Sequence, residues 1–279
     1  MSDVKLISYT QPPYPMETLT DLVAYCARVS NPSNQLNNET SDKLISHLDY
    51  KSIETNKYLV CFTPEAFLQL ISAFSSMFNA RSIIDGLSLM NEDSLGNQIS
   101  VPNLNISDEG LHPKNVGAFS FDGEGTPTQN IQLVTDGILT QLLHSEATAR
   151  KFGVKPTGHA GLGAKVSVSP DWLVVSKSES EMDKEESLSI KNTIKEYILI
   201  DELSAIHSGV KASQGSFSLP FDGWIVNDGK KTSIEAATVA GDILKVLSSI
   251  VKIEDEQIVT HQGISPHVWV ENMSITGEA

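Results

Sequence analysis

Cysteine is scarce: Cys26 and Cys61 are the only two in 279 residues. They lie 35 positions apart with no CxxC spacing, which excludes a disulfide framework and a thiolate zinc knuckle and makes a reducing cytoplasm the simplest home. Long apolar runs are missing too. Nowhere do about 18 apolar residues follow one another, and the opening MSDVKLISYT has no basic segment followed by an apolar stretch, so neither a membrane span nor export is expected. Basic charge is the third shortage. Twenty Lys and Arg face 35 Asp and Glu, giving a net charge of -15, and no local basic patch relieves it. Phosphate backbones and anionic lipid are repelled, so nucleic-acid and membrane-surface partners are not expected.

What is present suits a globular protein, because 40% of the residues are hydrophobic. That is enough for one large or two small cores. VKLISY at 4–9 reads as a strand closed by the proline-rich QPPYP, and Leu19, Leu22, Val23 and Cys26 follow at helical spacing. A second amphipathic helix begins near Asn38, and polar residues near 50 mark a boundary. Thr63-Pro64-Glu65 is a helix start: threonine caps, proline tolerates the first turn and glutamate favours its positive end. Phe67, Leu70, Ile71, Phe74 and Phe78 continue it as an apolar stripe.

From about 80 to 235 short apolar runs alternate with Gly, Asn, Asp and Pro, the texture of β structure, and VNDGKK at 226–231 is a hairpin signal. SKSESEMDKEES at 176–187 reads as a solvated connection. A last helix is predicted over 238–252, with Ile243, Leu244, Leu247, Ile250 and Val251 on one face, and a last strand over 267–275.

Candidate chemistry is sparse. LLHSEATARKFG at 142–153 reads as a helix carrying His144 and Glu146. A zinc-peptidase helix needs histidines one turn apart, whereas Thr148 stands there, and residues two apart point about 200° away from each other. An exposed or helix-capping histidine is the expectation. Asp122 and Glu124 in FDGEGT are a carboxylate pair that could share acid and base work or hold a hard cation, but the flanking glycines favour a structural turn. PTGHAGLGAK at 156–165 has G-x-x-G-x-G rather than dinucleotide spacing. It reads as a bend where backbone meets backbone, with His159 hydrogen-bonded or lining a groove. Thr157, Gly158, His159 and Gly161 are therefore the candidate peptide-groove contacts. His261 and His267 would share a strand face, but Gly263 and Pro266 interrupt it, and both cysteines sit in apolar runs as packing thiols.

FSFDGEGTPTQNIQLVTDGILTQLL at 119–143, TARKFGVKPTGHAG at 148–161, GVKASQGSFSLPFDGWIVNDGK at 209–230 and SPHVWVENMSITG at 265–277 resemble, in order, the C-terminal domain of the TldD/PmbA family. The PmbA (TldE) branch is the nearer. The resemblance runs from about residue 60 to the end. It implies an α+β protein, mostly an antiparallel β domain of barrel or sandwich type with flanking helices. It also implies a non-catalytic subunit that pairs with a TldD-like catalytic chain to cleave peptides, in a family linked by name to modulation of DNA gyrase. In TldD an HExxxH helix and a late cysteine hold zinc. These 279 residues contain no HExxxH, and Gln262-Gly263 stands where the family has Cys-Gly. Zinc is thus expected in the partner, with no catalytic, cofactor or metal residue in this chain.

Residues 4–48, especially LVAYCARVSNPSNQ, resemble the start of a flavin-dependent thymidylate synthase. No RHRxxS-type motif follows, so synthase activity is not expected. The two resemblances divide the chain into a β-α-α leader over 1–50 and a TldE-like domain over 51–279. This reads as a fusion or recombined reading frame that lacks most of the N-terminal domain usual in the family, with a weakly docked leader. A stand-alone module that holds an extended peptide by strand addition is the competing expectation.

Overall fold

In the computed structural model, residues 50–178 and 196–277 are described. The β-α-α leader, its docking, Cys26 and most of the 176–187 tract lie outside them. Along the described chain come β1 (Tyr50–Lys51), β2 (Asn56–Phe62), α1 (Pro64–Ala73), α2 (Ala80–Ile84), β3 (Leu104–Glu109), β4 (Asn130–Thr135) and β5 (Ile138–Leu139). Then come α3 (Glu146–Phe152), β6 (Ala160–Gly161), β7 (Ser167–Val168), β8 (Leu173–Lys177), β9 (Glu196–Leu203), α4 (Ile206–Gly209) and β10 (Val210–Lys211). The last are β11 (Ser216–Asn227), β12 (Lys230–Ile234), β13 (Ala237–Asp242), α5 (Ile243–Ser248), β14 (Ile250–Ile253), β15 (Ile258–Val259), β16 (Gly263–Ser265) and β17 (Val268–Gly277). Ser176 and Lys177, assigned to the solvated tract by composition, are the last residues of β8.

Strand β11 organises the larger sheet. Its residues alternate between buried and exposed, as a strand with one face on a core must. Its first half pairs with β13 and its second with the hairpin partner β12, while β9 lies along its other edge. The register shifts between Asp222 and Gly223, where a Cβ on Gly223 would sit 2.2 Å from the Leu199 carbonyl oxygen. A glycine at that close approach lets the strand bend. The ring β11-β13-β17-β2-β9 then returns to β11. It is a closed five-stranded barrel, antiparallel at every seam except the parallel pair β2 and β9. The β11–β12 turn has positive φ at both Asp228 (46°) and Gly229 (81°), the primed geometry that an Asp-Gly pair favours.

A second sheet, in the order β15-β16-β8-β3-β4-β5, packs beside the barrel. Helix α1 joins the two by lying against β9 and β16. Its start is as expected: the Thr63 hydroxyl accepts the Ala66 N–H at 3.2 Å and Pro64 occupies the first turn. Phe67, Leu70, Ile71, Phe74 and Phe78 are all buried in one continuous core with Val60, Ile200, Leu219 and Val270. The helix itself stops at Ala73, so Phe78 reaches that core from a short 3-10 turn.

The helix expected over 238–252 is mostly strand. Only Ile243–Ser248 is helical, capped by the Asp242 carboxylate, which accepts the Leu244 and Lys245 N–H groups. Thr238 and Val239 are paired on both sides, to β11 and β17, and Ile250–Ile253 pairs with β17. Val239 serves barrel closure while Ile243 and Leu247 pack from the short helix, because a sheet satisfies the same backbone groups while burying alternate side chains. Among the described residues no helix is long and apolar enough to cross a membrane.

Candidate functional site

The inward face of β3 places Asp108 in the interior with no exposed side chain. Its two carboxylate oxygens accept the backbone N–H groups of Asp171 and Trp172, at 2.8 and 2.9 Å, which closes the turn into β8. His159 Nε2 lies 3.3 Å from the same carboxylate, also fully buried, and His159 Nδ1 is 3.0 Å from the Thr157 hydroxyl. Burial opposes a charge on His159, but the Asp108 contact, the Asp171 charge and Thr157 outweigh it, so its pKa is raised. Asp171 is raised as well, first by partial desolvation and then by Asp108, with Asp122 adding to it and His159 opposing it.

The residues around this pair hold the bend that carries His159. Gly158 has φ +79°, and a Cβ there would meet the Pro127 carbonyl oxygen at 2.3 Å. Thr157 Oγ1 accepts the His144 N–H at 2.9 Å. Thr157, Gly158 and His159 face inward rather than lining a groove, and of the four groove candidates only Gly161 is exposed. Gly161 instead pairs with Ser167 in the small β6–β7 sheet.

His144 differs from expectation in both place and exposure. The helix starts at Glu146 with Ser145 as its cap and ends at Gly153, so His144 precedes it. The imidazole is 5% exposed and packs edge-on against Phe152, ring centroids 5.2 Å apart. Burial lowers its pKa and keeps it neutral near pH 7. The ring contact with the far end of the helix that follows is a packing detail invisible to periodicity.

The FDGEGT carboxylates do structural work. Asp122 Oδ1 accepts the Glu124 and Thr126 N–H groups and Oδ2 accepts that of Ala160, while Glu124 accepts the Glu146 N–H at the start of α3. His261 and His267 are not brought together: His261 is exposed and 3.2 Å from Glu65, and His267 lies 3.9 Å from Glu254. Glu254 belongs to another cluster, where its Oε1 accepts the Trp269 indole N–H at 3.1 Å and the Lys252 ammonium at 3.2 Å. Although desolvation raises it, those contacts and His267 prevail and its pKa is lowered. Cys61 is buried in this cluster and its pKa is raised, chiefly by desolvation, so it is an inert thiol.

One pocket of about 340 Å³ opens between the β3 and β8 ends and the turn before β16, lined by Gly110, the 115–119 loop, Asp171, Trp172, His261 and Gln262. Sequence reasoning missed Asp108, Asp171 and Trp172, since nothing local marks them. Gln262 packs its amide 3.2 Å from His261 Nε2. Gly263 is demanded by β8: a Cβ there would lie 2.1 Å from the Leu173 carbonyl oxygen. Among the described residues no three His, Cys, Asp or Glu side chains converge as a metal set, and a neutral amide at 262 is a poor zinc donor beside a thiolate. The donors of these residues do not fit a zinc ion.

Comparison with known proteins settles the family. The profile of the PmbA/TldA metallopeptidase C-terminal domain matches residues 55–277. The chain belongs to the PmbA/TldA metallopeptidase family. It is 28% identical over 241 residues to the metalloprotease PmbA of Escherichia coli O157:H7, covering 85% of this chain and 49% of that protein. A solved Thermotoga maritima structure, described as a candidate modulator of a DNA gyrase, superposes with a TM-score of 0.77 at 30% identity, over 88% of this chain and 56% of that one. TldE from Thermococcus kodakarensis shares the fold, with a TM-score of 0.73 at 19% identity over 87% of this chain and 55% of that one. The chain thus spans about half the length of the PmbA/TldA relatives it matches. A stretch of 44 residues, 15% of the chain, is 50% identical to a Paramecium bursaria Chlorella virus 1 protein described as a probable flavin-dependent thymidylate synthase, and covers 20% of it.

Proposed function

We propose that this chain is the non-catalytic, TldE/PmbA-like subunit of a cytoplasmic TldD/TldE-type zinc metallopeptidase complex, supplying wall and contacts while a TldD-like partner holds zinc and cleaves the peptide. The observation that carries the reading is Gln262. The glycine beside it, the parallel β16–β8 pairing and the pocket all support retention of the family's frame. The position the resemblance assigns to a thiolate ligand holds a neutral amide whose neighbour is an imidazole already paired with Glu65. An inherited frame with its ligand position emptied of a metal donor fits a partner role.

Within this complex the chain's own groups act by position. Asp108, held with His159, fixes the Asp171–Trp172 turn that lines the pocket, and zinc, when bound in the partner, supplies an activated water. Co-expression with a TldD-like chain tests this. A heterodimer on sizing columns and zinc-dependent cleavage of an unfolded peptide are expected only from the mixture. Separate monomers, or turnover by this chain alone with one tightly held zinc, would overturn it.

A further inference from the structure

The pocket has a chemistry that the subunit reading leaves unused. Asp171 stands at its mouth, and its charged neighbours are two more carboxylates, Asp108 and Asp122, against the single imidazole of His159. Asp108 and Asp122 spend their oxygens on backbone N–H groups, whereas the Asp171 carboxylate has no such role. Beside it Trp172 is 4% exposed, and its indole N–H has no hydrogen-bond partner. A buried donor left unpaired is destabilising, so an acceptor from outside the protein is favoured here. His112 stacks on the indole at 6.4 Å with 12° between planes, which fixes the ring's orientation.

The far wall is the 115–119 loop, held in shape by Asn115, whose amide donates to the Gly110 carbonyl and accepts the Gly117 N–H. The loop turns its apolar groups outward: Val116 is fully exposed and Phe119 is 76% exposed. The site therefore offers a carboxylate needing a cation, the exposed aromatic ring of Phe119, an indole N–H needing an acceptor, and an apolar rim at Val116. A metal ion meets only the first of these, and a free polyamine has no acceptor for the indole N–H. A peptide with a basic side chain meets all four, because its guanidinium pairs with carboxylate and stacks on aromatics while its backbone carbonyl accepts.

We propose that this pocket binds an arginine side chain of an extended peptide, with the guanidinium on Asp171 beside Trp172, a backbone carbonyl taking the indole N–H, and an adjoining apolar residue against Phe119. The site is complete within this chain and does not rest on the subunit reading.

The test uses the chain without any partner, so its outcome is separate from that of the co-expression experiment. The blocked dipeptide N-acetyl-phenylalanyl-arginine amide is titrated while the indole N–H resonances are followed by NMR, with Trp172→Phe assigning the signal. Saturable movement of the Trp172 resonance is expected. The glutamine dipeptide, and Asp171→Asn with the arginine dipeptide, should each bind at least about tenfold more weakly, and Asp171→Glu should recover part of the loss. Phe119→Ala, at an exposed position that cannot threaten the fold, should weaken binding about threefold and stands in if Asp171→Asn fails to fold. Equal affinity for the two dipeptides, no loss in either variant, or a Trp172 resonance that never moves would overturn the proposal.

Discussion

Glu254 and Asp171 are both partly buried carboxylates, and their surroundings drive them in opposite directions. Around Glu254 the chain gathers an indole N–H, an ammonium and an imidazole, and the acid becomes stronger. Around Asp171 partial desolvation comes first, two other carboxylates add to it against one imidazole, and the acid becomes weaker. The first arrangement is a closed account of donors and acceptors, of the kind that braces a barrel wall. The second leaves negative charge beside a pocket and an unpaired indole N–H, which is where an incoming group has something to gain. Burial alone distinguishes neither; the sign of the neighbours does.

The largest effect should come from removing the group that anchors the Asp171 side. Asp108→Ala strands two backbone N–H groups and leaves His159 without its counter-charge, and a loss of about 3–5 kcal/mol is expected by denaturant titration. Glu254→Gln tests the other side: the amide keeps the shape but gives up charge-assisted contacts to Trp269 and Lys252, so about 1.5–3 kcal/mol should be lost. In the wild type the Glu254 contribution is present above the unfolded carboxyl value of about 4.3 and disappears as pH falls through its lowered folded value. An acid unfolding profile unchanged by Glu254→Gln would break the contrast.

His159 sharpens it on the basic side. Its raised pKa makes the Asp108 contact stabilising in full below about pH 6.5, with that stability lost as pH rises through the folded value. Thermal midpoints from pH 6 to 9 should fall for the wild type and flatten in His159→Gln. The smallest effect has the opposite sign. Asp171→Asn removes a partly desolvated charge and its like-charge repulsion at a half-exposed position, so a gain of under about 1 kcal/mol is expected at neutral pH, shrinking with added salt and vanishing in acid, where the wild-type carboxyl is protonated. A clear loss in that variant would mean that Asp171 is satisfied from within the protein.

The parts of the fold legible in advance were those coded over a few residues. Thr63-Pro64-Glu65 caps a helix because the hydroxyl and the ring act within one turn, and Asp228-Gly229 turns a hairpin because both tolerate positive φ. The stretch 238–252 misled because Ile243, Leu247 and Ile250 satisfy helical spacing whether or not a helix forms. Its outer parts are strands for reasons held by β11 and β17, and Val251, expected on the apolar face, points outward with 37% exposure. His144 misled because its partner Phe152 is a packing contact, and the groove expected at Thr157 to Gly161 turned inward because Asp108, 51 positions before His159, pulls that imidazole into the core.

By itself the sequence determined the acidity of the chain, its local caps and turns, the phrases that tie it to its family and the absence of HExxxH within these residues, because each is written in residue type and short spacing. Tertiary structure alone decided that β2 and β9 close a barrel in parallel, and that Asp108, His159, Asp171 and Trp172 meet. Those outcomes depend on strand register and on which charges lose water together, and both are set only when distant segments are held against one another.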